Sequence, residues 1–118
     1  MTEPAEFFDL YRQGFARVAV AVPRCRVADP AFNGEQSIAL LQQAAREGAA
    51  LVAFPELGLS AYSCDDLFHQ RALLDGCEAA LAHIVAASES LATVAVVGLP
   101  LRVDHSLFNC AVVVHRGR

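Results

Sequence analysis

Short apolar segments rich in valine alternate with an amphipathic helical segment, and this order constrains the fold more than any other feature. Residues 15–22 (FARVAVAV) and residues 50–54 (ALVAF) have the composition of buried strands. Between them, Ile38, Leu41 and Ala45 recur at the spacing of one helix face. A strand, a helix and a strand with short connections predict a parallel, right-handed βαβ unit.

The ends of the first helix carry signals of their own. Asp29 and Pro30 are typical of a turn, and Asn33 with Gln36 three residues later matches a capping box. Gly48 stands where a helix C-terminal cap is expected. The sequence therefore predicts a helix that begins at Asn33 and ends before Gly48.

The second half of the chain continues the alternation. Residues 67–74 predict a short helix that breaks near Gly76, and residues 77–91 predict a longer amphipathic helix. Residues 93–99 and 107–114 predict two further strands. A polar turn joins these two strands, so we expect them to be antiparallel. The predicted class is α/β with a mixed β-sheet flanked by helices.

Composition excludes several classes of protein. The 118 residues are 55% hydrophobic and 19% charged, which supports a packed core and excludes intrinsic disorder. A net charge of −4 with scattered arginines offers no basic surface to nucleic acid or to an anionic membrane. Apolar runs are far shorter than the ~20 residues that span a bilayer, and residues 1–6 lack a secretory-signal pattern. We therefore expect a cytoplasmic protein.

The cysteines and histidines predict no metal centre. Cys25, Cys64, Cys77 and Cys110 are widely spaced and form no CxxC pair, so free thiols are expected. Cys77 and Cys110 lie among apolar residues and are expected in the core. Cys25 lies between two arginines, which can lower a thiol pKa, but a loop thiol without a base is the favoured interpretation. The histidines show no ligand spacing.

Glu56 is the first candidate for a catalytic residue. It follows the second predicted strand, at the edge where open α/β sheets place their ligands. Phe54, Pro55 and Leu57 are apolar neighbours that would partly desolvate its carboxylate, as is typical of a general base. A solvent-exposed loop glutamate is the alternative that spacing alone leaves open.

Residues 48–63 (GAALVAFPELGLSAYS) resemble the first catalytic motif of the nitrilase (carbon–nitrogen hydrolase) superfamily. Segments similar to family strands follow in family order, namely RVAVAVP, VVGLPL and FNCAVVV. Residues 7–21 (FFDLYRQGFARVAVA) also resemble the start of the glutaminase domain of glutamine-dependent NAD+ synthetases. The resemblance implies the front part of a nitrilase-like αββα sandwich.

The resemblance also implies roles for two residues. Glu56 would be the general base of a Glu-Lys-Cys triad that hydrolyses glutamine. Tyr62 would bind the substrate, with a tyrosine packed on the loop as the alternative; Ala61 replaces the glycine usual at this point in the family. The ammonia would pass to a separate synthetase domain, which uses ATP and Mg²⁺ to amidate nicotinic acid adenine dinucleotide.

The chain contains no lysine, and none of its cysteines has the context of the family nucleophile. Residues 1–118 are therefore expected to be the N-terminal part of the glutaminase domain, truncated before the catalytic lysine and cysteine and inactive alone. A turn at Gly117 would lead into a further strand. The full-length enzyme is expected to be a homo-oligomer. The alternatives are a stand-alone amidase of the superfamily and a non-catalytic α/β interaction module.

Overall fold

The computed structural model describes residues 7–118, and within these residues the chain forms a four-stranded sheet in the order β1-β2-β3-β4. The six preceding residues, on which the expectation of no secretory signal rests, lie outside the described part. The strands are β1 (Val18–Val20), β2 (Leu51–Ala53), β3 (Val94–Val103) and β4 (Ser106–Val114).

The strand directions confirm the predicted mixed sheet. β1 pairs with β2 and β2 with β3 in parallel, and β3 pairs with β4 as an antiparallel hairpin. β1 and β2 are three residues each, shorter than the predicted strands. Their pairing runs from Val18↔Leu51 to Val20↔Ala53. At the end of the described chain, Gly117 has φ +82° and lies in a turn closed by two hydrogen bonds between His115 and Arg118.

Helix α1 (Pro30–Arg46) begins three residues earlier than the sequence predicted. Asp29 is the N-cap, and its carboxylate accepts a hydrogen bond from the Phe32 N–H at 3.2 Å. Pro30 follows at the first helical position, where its fixed φ suits a helix and its missing N–H is not needed. The prediction that Asn33 caps the helix is therefore wrong. The predicted end at Gly48 is confirmed, with φ +75°.

Helix α2 (Arg71–Ala87) runs without a break through Gly76, contrary to the prediction, and a short 3₁₀ helix (Asp65–His69) precedes it. A β-carbon at Gly76 would lie 3.2 Å from Pro30 Cγ, so the glycine lets α2 pack closely on the start of α1. Glycine costs a helix about 1 kcal/mol. The close packing of the two helices offsets that cost.

Both helices cover one face of the sheet and leave the other open. The covered face forms a core in which Leu41, Val52, Ile84, Val97 and Leu99 are almost fully buried. On the open face, alternate residues of the strands point to solvent: Val18, Val20 and Val113 are 66%, 82% and 63% exposed. The predicted αββα sandwich would place its second sheet against this face.

Candidate active site

Glu56 lies beyond the carboxyl end of β2, where a side chain of β4 binds its carboxylate. In the sheet, β3 lies between β2 and β4. The Phe54 N–H extends the β2–β3 pairing by bonding to the Val96 carbonyl at 2.9 Å. Two residues later, Glu56 Oε1 accepts a hydrogen bond from Asn109 Nδ2 at 2.6 Å. The Glu56 side chain is exposed, contrary to the expected partial desolvation by its apolar neighbours, and the hydrogen bond from Asn109 orients its carboxylate.

The loop that carries Glu56 packs directly on the backbone of β3. A β-carbon at Gly98 would lie 2.5 Å from the Pro55 carbonyl oxygen and 2.7 Å from the Leu57 nitrogen. The Leu59 N–H donates to the Gly98 carbonyl at 3.1 Å, and the Leu59 side chain is completely buried. Only glycine at this position of β3 permits so close an approach.

A buried amide fastens the same loop to the first helix. Asn33 is 1% exposed, and its Oδ1 accepts from the Arg26 N–H at 2.8 Å. Its Nδ2 donates to the Arg26 carbonyl at 2.8 Å and to the Leu59 carbonyl at 3.0 Å. The amide predicted as a helix cap therefore joins the two loops that leave β1 and β2.

Tyr62, the predicted substrate-binding residue, lies apart from this cluster. Its side chain is 68% exposed, and its hydroxyl has no hydrogen-bond partner among residues 7–118. The preceding Ala61 has φ +73°, a left-handed conformation that favours glycine. The structure thus brings Glu56 and Asn109 together and leaves Tyr62 at the surface of the same loop.

Two depressions meet at Asn109. Glu56 lies in one of about 320 Å³ on the open face of the sheet, with Gly98 in its floor. A second, of about 290 Å³, has mainly apolar walls that also include a carboxylate and an imidazole; its lining residues are Leu57, Asp65, Phe68, His69, Pro100, Leu107, Phe108 and Asn109. Its size suits a small organic molecule.

Sequence reasoning missed Asn109 and Gly98. Both lie in segments that resemble family strands, but neither position carries a local signal that connects it to a glutamate about 40 to 50 residues earlier. The register supplies the missing information, since Gly98 pairs with Ala111 and Pro100 with Asn109. An explicit antiparallel alignment of residues 94–103 with residues 106–114 would have placed Asn109 near the end of β2.

The thiols agree only in part with expectation. Cys77 is buried as predicted, and desolvation, followed by the nearby Cys64 and Glu78, raises its pKa to about 12. Cys110 is half-buried because β4 is an edge strand. Cys25 is exposed, but the lowering by its arginine neighbours does not occur: partial desolvation and then Cys64 raise its pKa.

Residues 7–118 contain no group of three or more His, Cys, Asp or Glu side chains arranged to hold a metal ion. In the same part of the chain, no helix combines the length and the apolar character that crossing a membrane requires.

Comparison with known proteins connects this geometry to a family. The glutamine-dependent NAD(+) synthetase of Mycobacterium tuberculosis is 44% identical over 111 residues, which cover 94% of this chain but 16% of that protein. Among solved structures, a glutamine-dependent NAD(+) synthetase from Cytophaga hutchinsonii has a TM-score of 0.79 at 22% identity, over 86% of this chain and 17% of that one.

A second solved structure with the same fold is an amidase. An amidase of the nitrilase superfamily from Nesterenkonia AN1 has a TM-score of 0.72 at 21% identity, over 86% of this chain and 39% of that one. The profile of the carbon-nitrogen hydrolase family matches residues 17–118, a range that includes both Glu56 and Asn109. The chain therefore belongs to the carbon–nitrogen hydrolase family.

Proposed function

We propose that this chain serves in a glutamine-hydrolysing domain that supplies ammonia for ATP-dependent NAD+ synthesis from nicotinic acid adenine dinucleotide. The observation that carries the proposal is the Glu56 carboxylate, held by Asn109 at the carboxyl edge of the sheet. The 44% identity to the Mycobacterium tuberculosis synthetase over 94% of the chain supports this choice among family activities.

In the proposed mechanism, Glu56 takes the proton from a cysteine thiol, and the thiolate attacks the side-chain amide carbon of glutamine. The carboxyl proton passes to the leaving nitrogen, and ammonia departs from a thioester. Glu56 then takes a proton from the water that hydrolyses the thioester to glutamate. These 118 residues contain no lysine, and none of their four cysteines has the context of the family nucleophile. In this proposal, the oxyanion-stabilising lysine and the nucleophilic cysteine therefore belong to other parts of the enzyme.

ATP and Mg²⁺ belong, in this proposal, to the separate synthetase domain. No step of the proposed mechanism on these residues therefore involves ATP or Mg²⁺. A cytoplasmic location and a homo-oligomeric full-length enzyme remain predictions of the same proposal.

The test compares Glu56→Gln with the wild type in the full-length enzyme. Loss of the base is expected to lower glutamate release and glutamine-dependent NAD+ formation by roughly 10² to 10⁴-fold. NAD+ formation from free ammonia is expected to remain. Glu35→Gln is the matched control, because Glu35 is an exposed glutamate on α1.

Two outcomes would contradict the proposal. Undiminished glutamate release by Glu56→Gln would remove the catalytic role and favour the interaction module. Amide hydrolysis by the wild type without any ATP-dependent NAD+ formation would favour the alternative of a stand-alone amidase. The Nesterenkonia amidase has the same fold as this chain.

Tyr62 enters the proposal as a glutamine-binding residue. Its hydroxyl lies in the loop that carries Glu56, is exposed and has no hydrogen-bond partner within the described residues, so it can bond a substrate. Tyr62→Phe is expected to raise KM for glutamine about tenfold, as for the loss of one hydrogen bond, with kcat little changed. An unchanged KM with a lower melting temperature would instead indicate a tyrosine that packs on the loop.

A further inference from the structure

Asn109 lies in a continuously paired strand, whereas Glu56 lies in a loop. The β3–β4 hairpin pairs continuously from Ala95↔Val114 to Val103↔Ser106, and Asn109 lies near its middle opposite Pro100. Glu56 is an exposed loop residue with several rotatable side-chain bonds. The hydrogen bond of 2.6 Å therefore holds the Glu56 carboxylate in a fixed position relative to β4. Without this bond, the Glu56 side chain would sample many rotamers.

The chemistry of this donor suits a working base. An amide carries no net charge, so it orients the carboxylate without the ion pair that an arginine or lysine would form. Only Oε1 is engaged, and Oε2 has no hydrogen-bond partner among residues 7–118. One carboxylate oxygen is thus fixed in place, while the other is available to accept a proton.

We propose that Asn109 is a positioning residue that holds the Glu56 carboxylate in the orientation required for proton transfer. The inference rests on the proposed function of Glu56 and adds to it a residue outside the Glu-Lys-Cys triad. Asn109 acts through Glu56, so its contribution depends on the carboxylate being present.

The first test measures glutamine hydrolysis by the full-length enzyme with Asn109→Leu and Asn109→Asp. Both variants approximate the shape of asparagine and remove the donor, and the aspartate also repels Glu56. We expect kcat to fall about tenfold to a hundredfold, with KM for glutamine changed less than about twofold. Asn109→Gln keeps an amide donor and is expected to recover much of the lost kcat.

Two controls separate positioning from folding. Far-UV circular dichroism and thermal melting report whether the variants remain folded and are expected to match the wild type, and ammonia-dependent NAD+ formation by the separate synthetase domain is expected to be unchanged. Ser106→Ala, at the exposed start of the same strand, is expected to keep the wild-type kcat. An unchanged kcat in Asn109→Leu and Asn109→Asp, or a rise in KM alone, would overturn the proposal.

A double-mutant cycle distinguishes this proposal from the proposed function itself. In a Glu56→Gln background, Asn109→Leu is expected to cause no further loss of glutamine hydrolysis, because the two residues act as one unit. An equal loss in both backgrounds would show that Asn109 acts independently of Glu56 and would overturn the inference. Unimpaired hydrolysis by Glu56→Gln alone would overturn the proposed function.

Discussion

Two neighbouring loops leave the same edge of the sheet, yet only one holds a candidate active site. The first loop (residues 21–29) follows β1 and carries the exposed Cys25; the second loop (residues 54–64) follows β2 and carries Glu56. In the sheet that residues 7–118 form, β1 is an edge strand with one neighbour, whereas β2 lies between β1 and β3. The second loop therefore packs on β3 and reaches a side chain of β4, which the first loop cannot do.

The comparison shows that the carboxyl edge of a sheet is not sufficient for a site. Cys25 has two charged neighbours in sequence, but no base or hydrogen bond among residues 7–118 engages its thiol. Glu56 has the backbone of Gly98 beneath its loop and the amide of Asn109 on its carboxylate. Contacts with further strands, here β3 beneath the loop and β4 at the carboxylate, therefore decide whether a reactive group at this edge is held in position.

The largest effect is expected from removing the support under the second loop. Gly98→Val would place its β-carbon 2.5 Å from the Pro55 carbonyl, so the backbone at Glu56 must move. A displacement of about 1 Å is expected to lower glutamine hydrolysis about a hundredfold. Steady-state assays of the full-length enzyme measure this loss, with far-UV circular dichroism as the control for folding. Wild-type hydrolysis would show that the loop tolerates displacement.

Asn33→Leu is expected to weaken both loops at once. The substitution leaves the Arg26 N–H, the Arg26 carbonyl and the Leu59 carbonyl without their amide partner. The free energy of unfolding should fall by about 2 to 3 kcal/mol, as measured by urea denaturation. Ser37→Ala is the control, because among residues 7–118 this buried hydroxyl bonds only within α1, to the Asn33 carbonyl; an equal loss there would contradict the bridging role.

Each loop contains an alanine in a left-handed conformation, and glycine should relax both. Ala28 has φ +55° in the first loop and Ala61 has φ +73° in the second. Ala28→Gly is expected to stabilise the protein by about 1 kcal/mol, and Ala61→Gly by roughly 0.5 kcal/mol because a buried methyl group is lost. Thermal melting measures both changes. A lower melting temperature for either variant would argue against backbone strain at that position.

Cys25→Ser is expected to have the smallest effect, with activity unchanged and stability within about 0.5 kcal/mol. The raised pKa of Cys25 leaves little thiolate at neutral pH, and the thiolate fraction grows as pH rises toward that pKa. Alkylation of Cys25 by iodoacetamide should therefore be slow at pH 7 and accelerate with pH. Rapid alkylation at pH 7 would indicate an activated thiol and would remove the contrast between the loops.

The order and direction of the strands were predictable from sequence because period and polarity are local properties. The strand-helix-strand unit, the antiparallel hairpin and the position of Glu56 after β2 all follow from such patterns. The capping signal at Asn33 was misleading, since a buried amide serves two loops rather than the helix end. Gly76 was misleading for a related reason, because contact with Pro30 outweighs a local preference.

The support for Glu56 was not predictable in the same way. Asn109 lies 53 residues away, and its contact depends on the register of β4 and on the width of one intervening strand. In the sequence, nothing separates Gly98 from any other strand glycine, because its role depends on the close contact with the loop that carries Glu56. Tyr62 followed from family resemblance alone, and its role as a ligand for glutamine stays a prediction.

The open face of the sheet links assembly of the domain to the chemistry of Glu56. Val20 and Val113 lie in water on this face, and the depression that contains Glu56 opens on it as well. A second layer that dehydrates the valines would also exclude bulk water from around the carboxylate. Completion of the hydrophobic core and protection of the Asn109–Glu56 hydrogen bond from competing solvent would then be one event.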